Sequence, residues 1–175
     1  MMMKKLIFLS IAIVCLCSCG NNKVYRPSKF PDESSKRNFS FAIPYQEKNS
    51  SIIVRIRLNG GPQFEGTWDS GCSVPLKIST LEATALVKAG TLSESDYHSS
   101  LPITVANGQT SEYDVYKLKS ISFMDEDGVE HTINDVPAVI DDNVGTDILI
   151  GLPVMQALGY SHEISQYDQA IYFKE

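Results

Sequence analysis

The amino-acid sequence predicts a mostly β domain, with its sheet closed into a barrel or packed as a sandwich. Short runs rich in β-branched and aromatic residues follow one another from about residue 40 onward, with turn signals roughly every ten residues. Val54, Ile56 and Leu58 alternate with arginines, which is the two-residue period of a strand that buries one face. Asn-Gly pairs at residues 59–60 and 107–108 separate such runs, as they do in hairpins.

The composition is that of a globular protein without nucleic-acid-binding character. The chain has 175 residues, 43% apolar and 21% charged, so it can bury a core and holds one domain, or one domain with a tail. Acidic residues outnumber basic ones by 21 to 15, and no run of Lys or Arg is longer than a pair. Because nucleic-acid affinity comes largely from basic side chains that displace counterions, we expect no nucleic-acid partner.

The first 18 residues are typical of a signal peptide. Lys4 and Lys5 precede an apolar run at residues 6–16, which is too short to cross a bilayer as a stable helix. The sequence LCSC at residues 16–19 resembles the bacterial lipobox, in which cleavage leaves a lipid-modified Cys at the new N-terminus. The alternative is ordinary signal cleavage at a small residue. Lipidation at Cys19 predicts a lipoprotein of the cell envelope, anchored in the bilayer.

The segment after Cys19 predicts a flexible tether. Residues 19–39 are mostly polar or charged and contain Pro27 and Pro31, with neither helical nor strand periodicity. Gly20 resembles an outer-membrane sorting signal, which places the protein at the outer membrane, facing the periplasm. The folded domain is then residues 40–175. Loss of the signal peptide and lipidation of Cys19 leave Cys72 as the remaining thiol, which excludes an intrachain disulfide.

The predicted strands fill most of the domain, with turns at residues 59–62, 107–108 and 125–128. In chain order the strands are residues 54–58, 63–68, 74–78, 101–106, 112–118, 121–124, 129–133, 136–140, 160–164 and 170–173.

Two helices interrupt the strands. Ser79 and Glu82 form a capping box for a helix that ends near residue 89, where Gly90 suits the position after a helix. Pro153 at the first helical position predicts a short helix at residues 152–158.

Two segments carry a resemblance to a known family. FEGTWDSGCS at residues 64–73 is similar to the catalytic segment of retropepsin-like aspartic proteases, and ILIG at residues 148–151 is similar to their apolar-apolar-Gly segment. The two lie about eighty residues apart with a Gly-tipped hairpin between them. The resemblance implies a retropepsin-like acid-protease barrel with one inserted helix and one short helix near the C-terminus. Residues 90–97 also resemble a helical insertion of lipid-anchored bacterial members.

The resemblance implies an aspartic endopeptidase that needs no cofactor or metal and acts on a peptide or protein. Such enzymes activate water between two carboxylates that share one proton, because like charges about 3 Å apart cannot both ionise. The chain has one Asp-Ser-Gly triplet, at residues 69–71. The second Asp69 must then come from a second copy across a two-fold axis, which predicts a homodimer.

The family's functional residues carry over to positions in both segments and in the hairpin. Asp69 is the catalytic carboxylate, and Ser70 braces the two catalytic loops. Gly71 allows close approach of the backbone, and Cys72 stands where the family has Ala, Ser or Thr. The flap tip over the substrate consists of Ala106, Asn107, Gly108, Gln109 and Thr110. The residues that pack behind the catalytic loop are Leu149, Ile150 and Gly151.

Two other interpretations remain open. The same barrel could serve as a noncatalytic envelope module that binds a peptide or another ligand. Cys72 could act as a thiol nucleophile if a histidine served as its base. His98, His131 and His162 have no fixed spacing to Cys72 and lie in polar contexts, where we expect them to be exposed. We therefore favour a buried, inert thiol. The histidines also lack metal-ligand spacing, and no Gly-rich phosphate loop is present.

Overall fold

The structure, a computed structural model, describes residues 38–104, 108–142 and 147–174. The predicted signal peptide, Cys19 and most of the tether lie outside these residues, as do Ala106 and Asn107 of the predicted flap. The described strands are β1 (Phe41–Lys48), β2 (Ser51–Leu58), β3 (Gln63–Asp69), β4 (Leu76–Ser79), β5 (Tyr97–Thr104), β6 (Thr110–Met124), β7 (Glu130–Asp141), β8 (Ile148–Gly151), β9 (Ser161–Ser165) and β10 (Ala170–Lys174). The helices are α1 (Thr80–Lys88), a 3₁₀ turn (Glu94–Asp96) and α2 (Leu152–Leu158).

Six strands close into a barrel, which confirms the predicted mostly β fold. Their order around the barrel is β2, β3, β8, β4, β7 and β6, and pairing of β6 with β2 closes it. The β3–β8 and β4–β7 pairs are parallel, and the other four are antiparallel. Closure leaves the barrel strands without free edges.

Two groups of strands extend from the barrel. β5 pairs only with β6 and forms a hairpin with it, while β1 joins β2 to the C-terminal hairpin of β9 and β10. The sequence did not predict β1, whose apolar residues are interrupted by Pro44 and lack strict alternation. Phe41, Ile43 and Tyr45 of this strand are nevertheless buried in the core.

The core consists of a large hydrophobic cluster, to which the barrel strands and both helices contribute, and a small second cluster of Ala42, Ala170 and Tyr172. Val54, Ile56 and Leu58 are buried, whereas the intervening arginines are exposed, as the alternation predicted. Its large, fully buried side chains include Phe123, Phe173, Ile43, Ile78, Leu86, Leu118, Ile121, Ile150 and Met155. At about 25 cal/mol per Å² of apolar surface, this burial is the main stabilising term.

In two places, two consecutive predicted strands form one long continuous strand in the structure. β6 contains both predicted strands at residues 112–118 and 121–124. β7 contains residues 130–133 of one predicted strand and 136–140 of the next. The sequence Asn-Asp at residues 134–135 indicates a turn, and Asp135 does adopt a left-handed conformation with φ of 59°. Pairing with β6 nevertheless continues in one register on both sides of it, so the prediction of a strand break was wrong.

Local signals placed both helices correctly. The Ser79 backbone N–H donates to Glu82 Oε2 at 2.8 Å, and Leu81 N–H donates to Ser79 Oγ at 3.1 Å, which completes the capping box. Gly90 follows α1 with φ of +70°, a conformation that favours glycine. Pro153 occupies the first turn of α2. Among the helices of the described residues, none has the length and apolar character needed to cross a membrane.

Candidate active site

The predicted catalytic carboxylate lies at the end of a barrel strand. Asp69 is the last residue of β3. Asp69 and Thr67 are partly exposed, whereas Gly66 and Trp68, which alternate with them along the strand, are buried. The Trp68 ring packs edge-on against Phe123 and Phe173, with centroid distances of 6.3 and 5.9 Å. This aromatic contact anchors the strand end in the core, while Asp69 itself stays partly exposed.

A tight turn follows Asp69 and holds its carboxylate. Gly71 N–H donates to Asp69 Oδ1 at 2.9 Å, and Cys72 N–H donates to the Asp69 carbonyl at 3.1 Å. Ser70 and Gly71 are exposed. A Cβ at Gly71 would lie only 3.2 Å from Asp69 Oδ1, so a larger residue would crowd the carboxylate. The turn therefore presents a partly exposed carboxylate that is oriented by a backbone donor.

Strand β8 lies directly behind this turn. It runs parallel to β3, with Leu149 opposite Thr67 and Gly151 opposite Asp69. Gly151 N–H donates to Pro75 O, and Leu152 N–H donates to Cys72 O, both at 3.0 Å. The structure thus brings the two family-like segments together, although they are about eighty residues apart in the chain.

Gly151 is required by this close approach. A Cβ at this position would lie 1.9 Å from the Val74 carbonyl oxygen and 2.8 Å from that of Cys72. Both oxygens are backbone atoms and cannot rotate away. Only glycine allows α2 to start directly against the turn at residues 69–72.

The predicted flap belongs to the β5–β6 hairpin. Thr104 pairs with Thr110, and their hydroxyls are 2.8 Å apart. Gly108 has φ of +84° and, with Gln109, precedes β6. The structure therefore places Gly108, Gln109 and Thr110 at the end of a hairpin, while the role of this hairpin as a flap stays a prediction.

Cys72 is a half-buried thiol beside the carboxylate. Its Sγ lies 3.5 Å from the Val74 carbonyl oxygen. Burial raises the pKa of the Cys72 thiol, and the charge of Asp69 raises it further, against the lowering effects of the Val74 hydrogen bond and of Lys77. The thiol is therefore protonated at neutral pH, which is unfavourable for a nucleophile.

Two of the three histidines are less exposed than the sequence predicted. The His131 side chain is 18% exposed, and its Nε2 lies 2.8 Å from Asp125 Oδ2. The His162 ring packs edge-on against Trp68 at 5.8 Å, and burial lowers the pKa of His162. The prediction of exposure was correct for His98 alone. The prediction relied on polar flanking residues, but aromatic residues that are distant in the sequence cover both rings: Phe41 lies against His131 and Trp68 lies against His162.

The structure also shows two buried carboxylates with fixed partners. Asp125 accepts hydrogen bonds from the Asp127 and Val129 backbone N–H groups and contacts His131. Asp141 lies 3.2 Å from Lys77 Nζ. Within residues 38–104, 108–142 and 147–174, no three His, Cys, Asp or Glu side chains are grouped closely enough to hold a metal ion.

A solved structure shares this fold. The chain is similar to the crystal structure of a retropepsin-like aspartic protease from Rickettsia conorii, with a TM-score of 0.53 and 12% sequence identity over 75% of this chain and 87% of that one. No protein-family model matches the sequence. No curated protein matches it either. At this identity the likeness shows the fold, and the chain has a retropepsin-like barrel.

Proposed function

We propose that the protein is an aspartic endopeptidase of the bacterial cell envelope. The observation that carries this proposal is the Asp69 carboxylate, which is partly exposed at the end of β3 and accepts a hydrogen bond from Gly71 N–H. It is supported by the packing of residues 148–151 behind this turn and by the likeness of the barrel to that of an aspartic protease.

The proposed reaction needs two carboxylates, one as base and one as acid. The ionised carboxylate takes a proton from water as the oxygen attacks the scissile carbonyl, and the protonated one donates to the carbonyl oxygen. Transfer of a proton to the amide nitrogen then allows the C–N bond to break. Asp125 and Asp141 are already held by other partners. We therefore propose that the second carboxylate is Asp69 of a second copy, in a homodimer.

We further propose that lipidated Cys19 anchors the protein in the outer membrane. Confinement to a membrane raises the effective concentration of a weakly associating domain, which favours the homodimer that the shared site requires. Cys19→Ser should then release the protein from the membrane fraction into the soluble fraction.

The experiment that tests the proposed function compares the wild-type chain with Asp69→Asn, using mass spectrometry to detect cleavage of a peptide mixture. Asp69→Asn should abolish hydrolysis and leave the thermal midpoint nearly unchanged, because the substitution removes the ionisable group but little volume. Asp127→Asn, at an exposed turn position, serves as the matched control and should retain activity. Specific activity of the wild type should fall on dilution.

Two results would contradict this proposal. Hydrolysis by Asp69→Asn would exclude the aspartic mechanism, and concentration-independent activity of a monomer would exclude the shared site. A wild-type chain that binds peptides without cleaving them would support the noncatalytic binding module instead.

A further inference from the structure

We propose that a cavity beside the β5–β6 hairpin binds a Lys or Arg side chain of the peptide, so that the protein selects basic substrates. The inference rests on the proposed function for the peptide nature of the ligand. The cavity has a volume of about 680 Å³. Its walls come from α1, from the segment around the 3₁₀ turn, from β5 and β6 of the hairpin and from the end of β7. We call it the acidic cavity.

Negative charge dominates the walls of the acidic cavity. Among the described residues, five carboxylates line it and no Lys or Arg does. The five are Glu94, Glu112, Asp114, Asp141 and Asp142. The ion pairs found among the described residues include Asp141, through Lys77, but not Glu94, Glu112 or Asp114. A cationic group that enters the cavity would therefore meet Glu94, Glu112 and Asp114 without competition from the lysine that pairs with Asp141.

The remaining walls suit an aliphatic stem. Ala83, Val87, Leu92 and Ile140 contribute apolar surface, and Tyr113 and Tyr116 contribute rings. Lys and Arg combine a long apolar stem with a charged head, and both can pack against aromatic rings. The cavity is thus matched to both ends of a basic side chain.

A metal ion is a poorer match for the same carboxylates. A bound divalent cation needs several oxygen ligands that converge within about 2.6 Å of one point. Among residues 38–104, 108–142 and 147–174, no three His, Cys, Asp or Glu side chains are placed to do so. The carboxylates are distributed around the walls instead, an arrangement that suits an elongated organic cation.

The potential in the cavity also affects a tyrosine in its wall. Burial raises the pKa of Tyr116, and the carboxylates of Glu94 and Asp114 raise it further because they oppose formation of a second negative charge. The same carboxylates would favour a positive charge at this place.

The cavity and the predicted flap share one strand. Ser111, Glu112, Tyr113 and Asp114 line the cavity and directly follow Thr110, the last residue of the predicted flap. A peptide that pairs with this hairpin advances by about 3.3 Å per residue. It can therefore bring a neighbouring side chain to the cavity while its scissile bond lies elsewhere in the site.

The binding experiment uses the full-length Asp69→Asn chain, which should not cleave its ligand. Fluorescence anisotropy compares the binding of two labelled peptides: a basic peptide that contains Lys and Arg, and a neutral peptide in which each Lys and Arg is replaced by Gln. The basic peptide should bind about tenfold more tightly at low salt, equivalent to about 1.4 kcal/mol, and the preference should decrease as salt screens the charges. The added triple substitution Glu94→Gln, Glu112→Gln and Asp114→Asn should remove the preference.

A second triple variant controls for net charge. Glu47→Gln, Glu126→Gln and Asp127→Asn remove the same number of carboxylates from exposed positions outside the cavity, and this variant should keep the preference. Equal binding of both peptides, or an equal loss of the preference for the basic peptide in both triple variants, would overturn the inference. Cleavage of the peptides by the wild type without basic preference would contradict the cavity's role but not the proposed function. Basic preference without any cleavage would contradict only the proposed function.

Discussion

Replacing Gly151 with alanine should disrupt the turn that follows Asp69 through backbone contacts alone. The added Cβ would start 1.9 Å from the Val74 carbonyl oxygen, whereas such contacts essentially never fall below 3.0 Å. The turn or the start of α2 must therefore move by about 1.1 Å, the difference between these two distances. A movement of this size would weaken the hydrogen bonds from Gly151 N–H to Pro75 O and from Leu152 N–H to Cys72 O.

The expected cost follows from these two effects. Overpacking of a rigid site costs about 1–3 kcal/mol. Each backbone hydrogen bond that is lost adds about 0.5–1.5 kcal/mol. Together they predict a decrease of about 2–6 kcal/mol in the free energy of unfolding. For a domain of this size the thermal midpoint should fall by about 8 °C or more.

Denaturant unfolding and thermal melting of Gly151→Ala measure this cost, with Gly66→Ala as the matched control. A Cβ at Gly66 would also crowd the β3–β8 pair, but its nearest contact is Ile150 Cδ1 at 2.9 Å, the movable end of a side chain. Gly66→Ala should therefore be less destabilising than Gly151→Ala. An unfolding free energy of Gly151→Ala within about 0.5 kcal/mol of the wild type would refute the reasoning, because surface substitutions alone reach that range.

Two further predictions concern groups whose pKa values are shifted. Burial alone would raise the pKa of Asp125, but hydrogen bonds from His131 and from the Val129 and Asp127 backbone outweigh it, so the folded pKa lies below the reference of 3.8. The ionised Asp125 carboxylate stabilises the folded state fully above that reference, and this stabilisation is lost as pH falls through the folded pKa. In urea unfolding, Asp125→Asn should therefore lower the free energy of unfolding by about 2 kcal/mol at pH 7 and by less at pH 3. An equal cost at both pH values would contradict this. Because burial raises the pKa of Cys72, iodoacetamide should label the folded protein more slowly at pH 8 than the urea-unfolded protein. Cys72→Ala should retain turnover. Fast labelling of the folded chain, or loss of turnover in a Cys72→Ala protein that is folded and dimeric, would reopen the thiol-nucleophile mechanism.

Features that depend on neighbouring residues were predictable from the sequence. The capping box of Ser79 and Glu82, the C-terminal Gly90 and the proline at position 153 each satisfy backbone groups within one or two helical turns. The alternation in β2 likewise reflects a single buried face. These signals placed both helices and the β2–β3 hairpin without knowledge of the rest of the fold.

Features that depend on distant residues were not predictable. The strand β1 is stabilised by β2 and by β10 at the opposite end of the chain, and its Pro44 lies against Ala170. The interruption at Asp135 is tolerated because β6 pairs on both sides of it. His131 is covered by Phe41, with a ring centroid distance of 3.7 Å, a contact across 90 residues. The five carboxylates of the acidic cavity come from three separate segments of the chain, so no local motif predicts them.

The position of Trp68 gives each chain an intrinsic fluorescent probe of the turn that follows Asp69. Trp68 is the single tryptophan of the sequence, directly precedes Asp69 and is 7% exposed. Its Nε1 has no hydrogen-bond partner among the described residues, and its ring lies against His162. Its emission should therefore be blue-shifted in the folded chain and quenched when His162 gains a proton, which its lowered pKa delays to below pH 6.5. Native tryptophan fluorescence can thus follow events at the turn without a label, because it comes from one known position.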